Sequence, residues 1–180
     1  ADNTNALTFG GVPVTGATES WNGTSWTEVN DLNTARRSMG SAGSTNTSAL
    51  AFGGTPPTTA ATESWNGTSW TEINDLNTAR ARLAGAGTQT AALGFGGFIP
   101  PETGATESWN GTSWTEVNDL NTARRSLSSA GNDNTSSLAF GGGYPGVFLS
   151  ETESWNGTSW TEVADLNTAR WNSAGVGTQT

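Results

Sequence analysis

Twenty residues, Thr18 to Arg37, recur unchanged at Thr106 to Arg125. The string returns twice more with one substitution each. Thr62 to Arg80 carries Ile73 in place of Val, and Thr152 to Arg170 carries Ala164 in place of Asn. The copies begin 44, 44 and 46 residues apart, and the chain is almost nothing but these four units. A fixed period of this size marks one supersecondary unit stacked on itself. Residues 1–180 therefore read as a single repeat domain, with frames beginning near Thr18, Thr62, Thr106 and Thr152.

A unit so rich in Thr, Ser, Gly and Asn has little tendency to form helix. Its strands can be read from punctuation. Towards the end of the second frame, Ala92-Leu93-Gly94-Phe95 runs into Gly96-Gly97. After a proline-bearing stretch, Thr106-Glu107-Ser108-Trp109 meets Asn110-Gly111, and Trp114-Thr115-Glu116-Val117 follows. Asn-Gly between two β-prone runs is a strong hairpin signal, because it tolerates the positive φ of a tight turn. A four-residue loop would set Glu107 opposite Glu116, a like-charge pair, so a two-residue turn is expected. Either register leaves Trp109 and Trp114 on one face.

Four short antiparallel strands at this period point to a β-propeller blade. Ala51-Phe52-Gly53-Gly54, a variable loop, Glu63-Ser64-Trp65, Trp70 and Asn77-Thr78-Ala79-Arg80 together resemble the kelch motif. That motif has an apolar strand ending in Gly-Gly, an aromatic, a later Trp and an Arg-bearing segment leading to the next unit. The Gly-Gly doublets are Gly10–Gly11, Gly53–Gly54, Gly96–Gly97 and Gly141–Gly142. Trp21, Trp65, Trp109 and Trp155 stand where the motif usually has Tyr. The resemblance implies an all-β propeller of four four-stranded blades.

The chain opens on Ala6–Phe9, a second strand without a first, and closes on Trp171–Thr180, a first strand without a successor. Pairing of these segments would close a four-blade monomeric ring and remove two exposed sheet edges. The alternatives are an eight-blade dimer or an open array.

Hydrophobic residues make up only 33 % of the chain, so the core must come from its nine Trp and six Phe. Each large ring can bury about 150–250 Å². Trp21, Trp26, Trp65, Trp70, Trp109, Trp114, Trp155 and Trp160 are expected between blades. Arg36, Arg80, Arg124 and Arg170 are expected to pair with the repeated carboxylates or stack on Trp. Arg37, Arg82 and Arg125 are expected to face solvent.

The chain has no Cys, His or Lys. Disulfides, thiolate chemistry, imidazole bases, Schiff bases and the commonest metal ligands are therefore excluded. No cofactor is expected. The copper radical oxidase chemistry of some kelch-like enzymes needs His and Cys, so it does not transfer. A net charge of −9 opposes nucleic-acid binding, and no apolar run suits membrane insertion.

Chemistry could sit on Glu19, Glu63, Glu107 and Glu153, as an axial cation ring or an acid–base pair. An active site needs unlike groups, however, and residues repeated in every unit point to scaffold. The loops after Gly-Gly differ in sequence and lengthen steadily: Val12–Ala17, Thr55–Ala61, Phe98–Ala105 and Gly143–Glu151. Within them Phe98, Ile99, Tyr144, Val147 and Phe148 are the candidate contacts for a protein or glycan partner. Repeat arrays of this Asn-Gly-Thr-Ser-Trp type resemble segments of marine bacteriophage structural proteins. The expected function is a non-catalytic display or adhesion module, on a virion or otherwise extracellular. The alternatives are a carbohydrate-processing enzyme with paired carboxylates and an engineered scaffold without a ligand.

Overall fold

The computed structural model describes residues 4–178, which contain strands and turns and no helix. Sheet 1 comprises β1 (Ala6–Phe9), β2 (Thr18–Trp21) and β3 (Trp26–Val29). Sheet 2 comprises β4 (Gly40–Thr45), β5 (Ser48–Phe52), β6 (Thr62–Trp65) and β7 (Trp70–Ile73). Sheet 3 comprises β8 (Ala84–Gly87), β9 (Ala92–Phe95), β10 (Thr106–Trp109) and β11 (Trp114–Val117). In the fourth loop, β14 (Gly143–Tyr144) and β15 (Val147–Phe148) form a separate two-stranded ribbon. Sheet 4 comprises β12 (Ser128–Asp133), β13 (Ser136–Phe140), β16 (Thr152–Trp155) and β17 (Trp160–Glu162). All pairings are antiparallel, and each large sheet follows chain order from inside to outside.

The hairpin register corrects the two-residue turn. Trp109 faces Trp114 and Glu107 faces Glu116 across a four-residue loop, as Glu63 faces Glu72 in sheet 2. Two forces outweigh the like-charge pairing. The Asn110 side-chain oxygen accepts from the backbone N–H of Thr112 and Ser113, which closes the loop locally. Glu107 is also buried against Arg80, so its charge is neutralised before it meets Glu116.

Each Gly-Gly doublet follows from a backbone crossing. Gly53, Gly96 and Gly141 have φ of 67°, 63° and 65°, and a Cβ on any of them would run into the carbonyl of Arg80, Arg124 or Arg170. The second glycine donates to that same carbonyl, as in Gly54 N to Arg80 O at 2.9 Å. Here only glycine admits both the conformation and the close approach.

The sheets stack through one interface used three times. Trp70, Trp114 and Trp160 are each 5 % exposed and pack against Phe9, Phe52 and Phe95 of the preceding sheet, with ring centroids 4.8 Å apart in each case. Their indole N–H groups donate to Thr18, Thr62 and Thr106. The inner strands also pack directly: a Cβ on Gly85 of β8 would collide with Ser41 of β4 and the Phe52 ring.

Two expectations need correction. Trp21 is half-buried and Trp26 is 47 % exposed, because no preceding sheet covers their face as sheets 1 to 3 cover the others. The expected clasp is also not formed. Among the described residues β1 pairs with β2 alone, and 171–178 contains no strand. Gln179 and Thr180 lie outside the described residues.

Candidate functional site

The repeated carboxylates belong to the frame. Glu63, Glu107 and Glu153 are at most 2 % exposed and pair with Arg36, Arg80 and Arg124 from the segment leaving the preceding sheet. Arg36 also donates to the carbonyls of Gly53 and Ala61, at 2.9 and 2.6 Å. Burial pushes the Arg36 and Arg80 guanidiniums below their ordinary range, and the facing glutamates oppose that shift. The second oxygen of each glutamate accepts from the backbone and side chain of Asn33, Asn77 or Asn121. Every carboxylate oxygen is therefore committed to joining two sheets. Arg170, expected to follow the same rule, is exposed, and its guanidinium Nε donates to the carbonyl of Thr168.

The other repeated carboxylates are equally local. Asp75, Asp119 and Asp165 accept from the backbone N–H of Thr62, Thr106 and Thr152. Among the described residues no group of three acidic side chains is placed to hold a metal ion. The inner strands β4, β8 and β12, together with β1 and segment 175–177, line an open pocket of about 510 Å³ with small residues such as Ser41, Gly43, Gly85, Gly87, Ser129 and Gly131, and no described residue of its lining is charged. The axial carboxylate ring is not present, because the glutamates sit one strand pair further out, on β6, β10 and β16.

The unequal loops are arranged differently. Each linker forms a short bridge to the loop of the sheet it enters: Arg37 with Thr55, Ala81 with Phe98, Arg125 with Gly143. This contact brings the third and fourth loops together. The Arg125 guanidinium lies 4.6 Å from the Phe98 ring centroid and 5.6 Å from that of Trp171, and it pairs with Glu102 at 3.1 Å. Phe148 meets Trp171 edge-on at 5.6 Å. Phe98, Arg125, Trp171 and Phe148 thus form one continuous strip of rings around a cation.

Of the five sequence candidates, Tyr144, Val147 and Phe148 are exposed at 40, 36 and 59 %. Phe98 and Ile99 are half-buried. Arg37 and Arg82 are exposed as expected, but Arg125 is not: stacking and the Glu102 ion pair leave its side chain 11 % exposed. Arg125, Glu102 and Trp171 were not among the expected binding residues. One sequence signal pointed to Trp171, the one tryptophan outside the repeated string, at the position after Asn-Thr-Ala-Arg where the other units have Arg37, Ala81 and Arg125.

No protein-family model matches the chain, and no curated protein matches it in sequence. Among solved structures, that of YjhT matches with a TM-score of 0.75 at 11 % identity, over 95 % of this chain and 65 % of that one. At that identity the likeness speaks for the fold, an all-β propeller-like arrangement of four-stranded antiparallel sheets. This chain thus spans about two thirds of the length of the structure it matches.

Proposed function

We propose that the four large sheets are kelch-like blades and that the chain is a non-catalytic display or adhesion module. In this reading the unequal loops engage a glycan or protein on a surface. The supporting observation is the division of labour between repeated and unrepeated residues. The repeated acidic groups on β6, β10 and β16 are buried in ion pairs that join sheets, which commits those three carboxylates to the frame. The unrepeated residues gather the half-buried rings of Phe98 and Trp171 and the exposed ring of Phe148 around Arg125. A glycan is the favoured partner, since flat rings beside a guanidinium and the Glu102 carboxylate combine stacking with hydrogen bonding. Placement on a virion or other exterior surface rests on the resemblance of the repeat string to phage structural arrays.

The test is binding of the purified chain to a panel of immobilised oligosaccharides, beside a variant with Phe98–Ala105 and Gly143–Glu151 replaced by the six-residue Val12–Ala17 sequence. The unaltered chain is expected to be retained by a subset of sugars, and the variant to fold and lose that retention. Shortening surface loops costs little stability. Retention that survives the replacement would move the site to the repeated frame. Turnover of a sugar on the panel would replace the binding module with an enzyme.

A further inference from the structure

The aromatic strip around Arg125 holds no uncommitted cation. The Arg125 guanidinium is stacked on Phe98 and Trp171 and ion-paired with Glu102, and its side chain is 11 % exposed. Two further linker arginines behave differently. Arg37 and Arg82 are both exposed, and among the described residues neither guanidinium has an ion pair or a hydrogen bond. In a chain of net charge −9 these two cations lack counter-ions.

The backbone sets them side by side and next to the strip. The Arg82 N–H donates to the carbonyl of Ser38, the residue after Arg37, at 2.7 Å. The Arg82 carbonyl accepts from Ser126, the residue after Arg125, at 2.9 Å. Ala81, which precedes Arg82, exchanges backbone hydrogen bonds with Phe98. Arg82 is therefore held between Arg37 on one side and the Phe98–Arg125 contact on the other. It is also the odd member of its series. Ser38, Arg82, Ser126 and Asn172 take equivalent places in the four linkers, all with φ between 52° and 58°. That left-handed region suits short polar residues and costs a long side chain more. Strain of this kind collects where a side chain is used, and here the strained residue carries an unpaired charge at the margin of the aromatic strip.

We infer, on the reading of the loops as a glycan-binding surface, that the saccharide they take is acidic and that Arg82, with Arg37 beside it, binds its anionic group. The rings of Phe98, Trp171 and Phe148 offer stacking surface to a sugar, and Arg125 is already neutralised by Glu102, so the strip itself supplies no partner for a negative charge. Arg82 supplies one. A guanidinium presents a planar fork of N–H donors that matches a carboxylate or a sulfate ester, the two anionic groups a sugar commonly carries. An adjacent second cation without a counter-ion strengthens the preference for charge over a neutral hydroxyl. The acidic balance of the whole chain repels long polyanions, so an oligosaccharide with few charged groups fits this place and a nucleic acid does not.

The test is calorimetric titration of the full chain with galactose-based oligosaccharides of matched length in three forms: uncharged, carboxylated (oligogalacturonate) and sulfated. Two variants borrow residues that the chain uses at equivalent places: Arg82→Ser, as at Ser38 and Ser126, and Arg37→Ala, as at Ala81. Both positions are exposed and hydrogen-bonded through the backbone alone, so circular dichroism should be unchanged and the melt should not fall. One acidic form is expected to bind more than about tenfold tighter than the uncharged sugar, and which of the two does so identifies the anionic group. Arg82→Ser should remove that advantage, Arg37→Ala should reduce it, and Arg82→Lys should recover part of it, with the uncharged sugar indifferent throughout. Salt should weaken the acidic ligand alone. Equal affinity for charged and uncharged sugars, or acidic binding indifferent to Arg82→Ser, would overturn the inference and leave the glycan-binding loops standing. Acidic binding that depends on Arg82 but survives replacement of the loops would uphold the anion site and overturn the loop reading. Binding of no saccharide would overturn both.

Discussion

Trp114 and Trp26 occupy the same place in their units, yet only Trp114 has a sheet packed over it. Trp114 is 5 % exposed, lies 4.8 Å from Phe52 and 5.3 Å from Trp109, and donates to Thr62 at 3.1 Å. Trp114→Ala removes a whole buried ring and leaves the Thr62 hydroxyl without its donor. Deletions of this kind cost about 3–5 kcal/mol. Trp26 is 47 % exposed and retains one tilted contact, with Trp21 at 5.5 Å. Burying about 100 Å² of ring at ~25 cal/mol/Å² corresponds to ~2.5 kcal/mol as an upper value, so Trp26→Ala should cost about 1–2 kcal/mol in the single chain. The assay is guanidinium unfolding followed by far-ultraviolet circular dichroism, at protein concentrations where light scattering finds one chain. Equal losses for the two variants would refute the reasoning, because they would mean that sheet 1 is covered as the other sheets are.

Glu107→Gln should destabilise by about 3–5 kcal/mol, since it leaves Arg80 buried without its counter-charge, and thermal unfolding measures the loss. Glu19→Gln, made at an exposed position, should change the same single-chain melt by less than about 0.5 kcal/mol. Asn110→Ala removes the acceptor that closes a hairpin loop and should cost about 1 kcal/mol by chemical denaturation. Two donors from Thr135 hold the Asp133 carboxyl below the ordinary aspartate range. Its folded value is thus below its unfolded one, so its contribution is present above the ordinary aspartate pKa and fades as pH falls through the folded value. Asp133→Asn should flatten the acid side of the stability profile by less than ~1 kcal/mol.

The strands, their order and the place of the Gly-Gly doublets were legible because each has a local cause written in every unit. Asn-Gly marks the hairpin, and the doublet marks the crossing of the linker over the strand end. The hairpin register was not legible. Judged as an isolated pair, Glu107 and Glu116 repel, and the partner that removes the repulsion lies in a linker 27 residues earlier, at Arg80. The exposure of Trp26 and Arg170 was hidden for a related reason. Their strings match buried ones, so burial depends on the neighbouring sheet and not on the residues themselves. The loop candidates were found through their departure from the repeat. Arg125 sits inside the repeated string, where its sequence context matches that of Arg37; only the juxtaposition of Phe98 and Trp171 distinguishes it.

The central claim is that the repeated frame is scaffold and that the unrepeated loops bind. The chain offers nine indole N–H probes, eight in the frame and one, Trp171, in the proposed site. Two-dimensional NMR of the indole region, during titration with the oligosaccharide retained best on the panel, reads them all at once. The expected result is a saturable shift of the Trp171 resonance, with the eight frame resonances nearly still. Saturable shifts of the frame indoles with Trp171 unmoved, or no shift from any sugar on the panel, would contradict it.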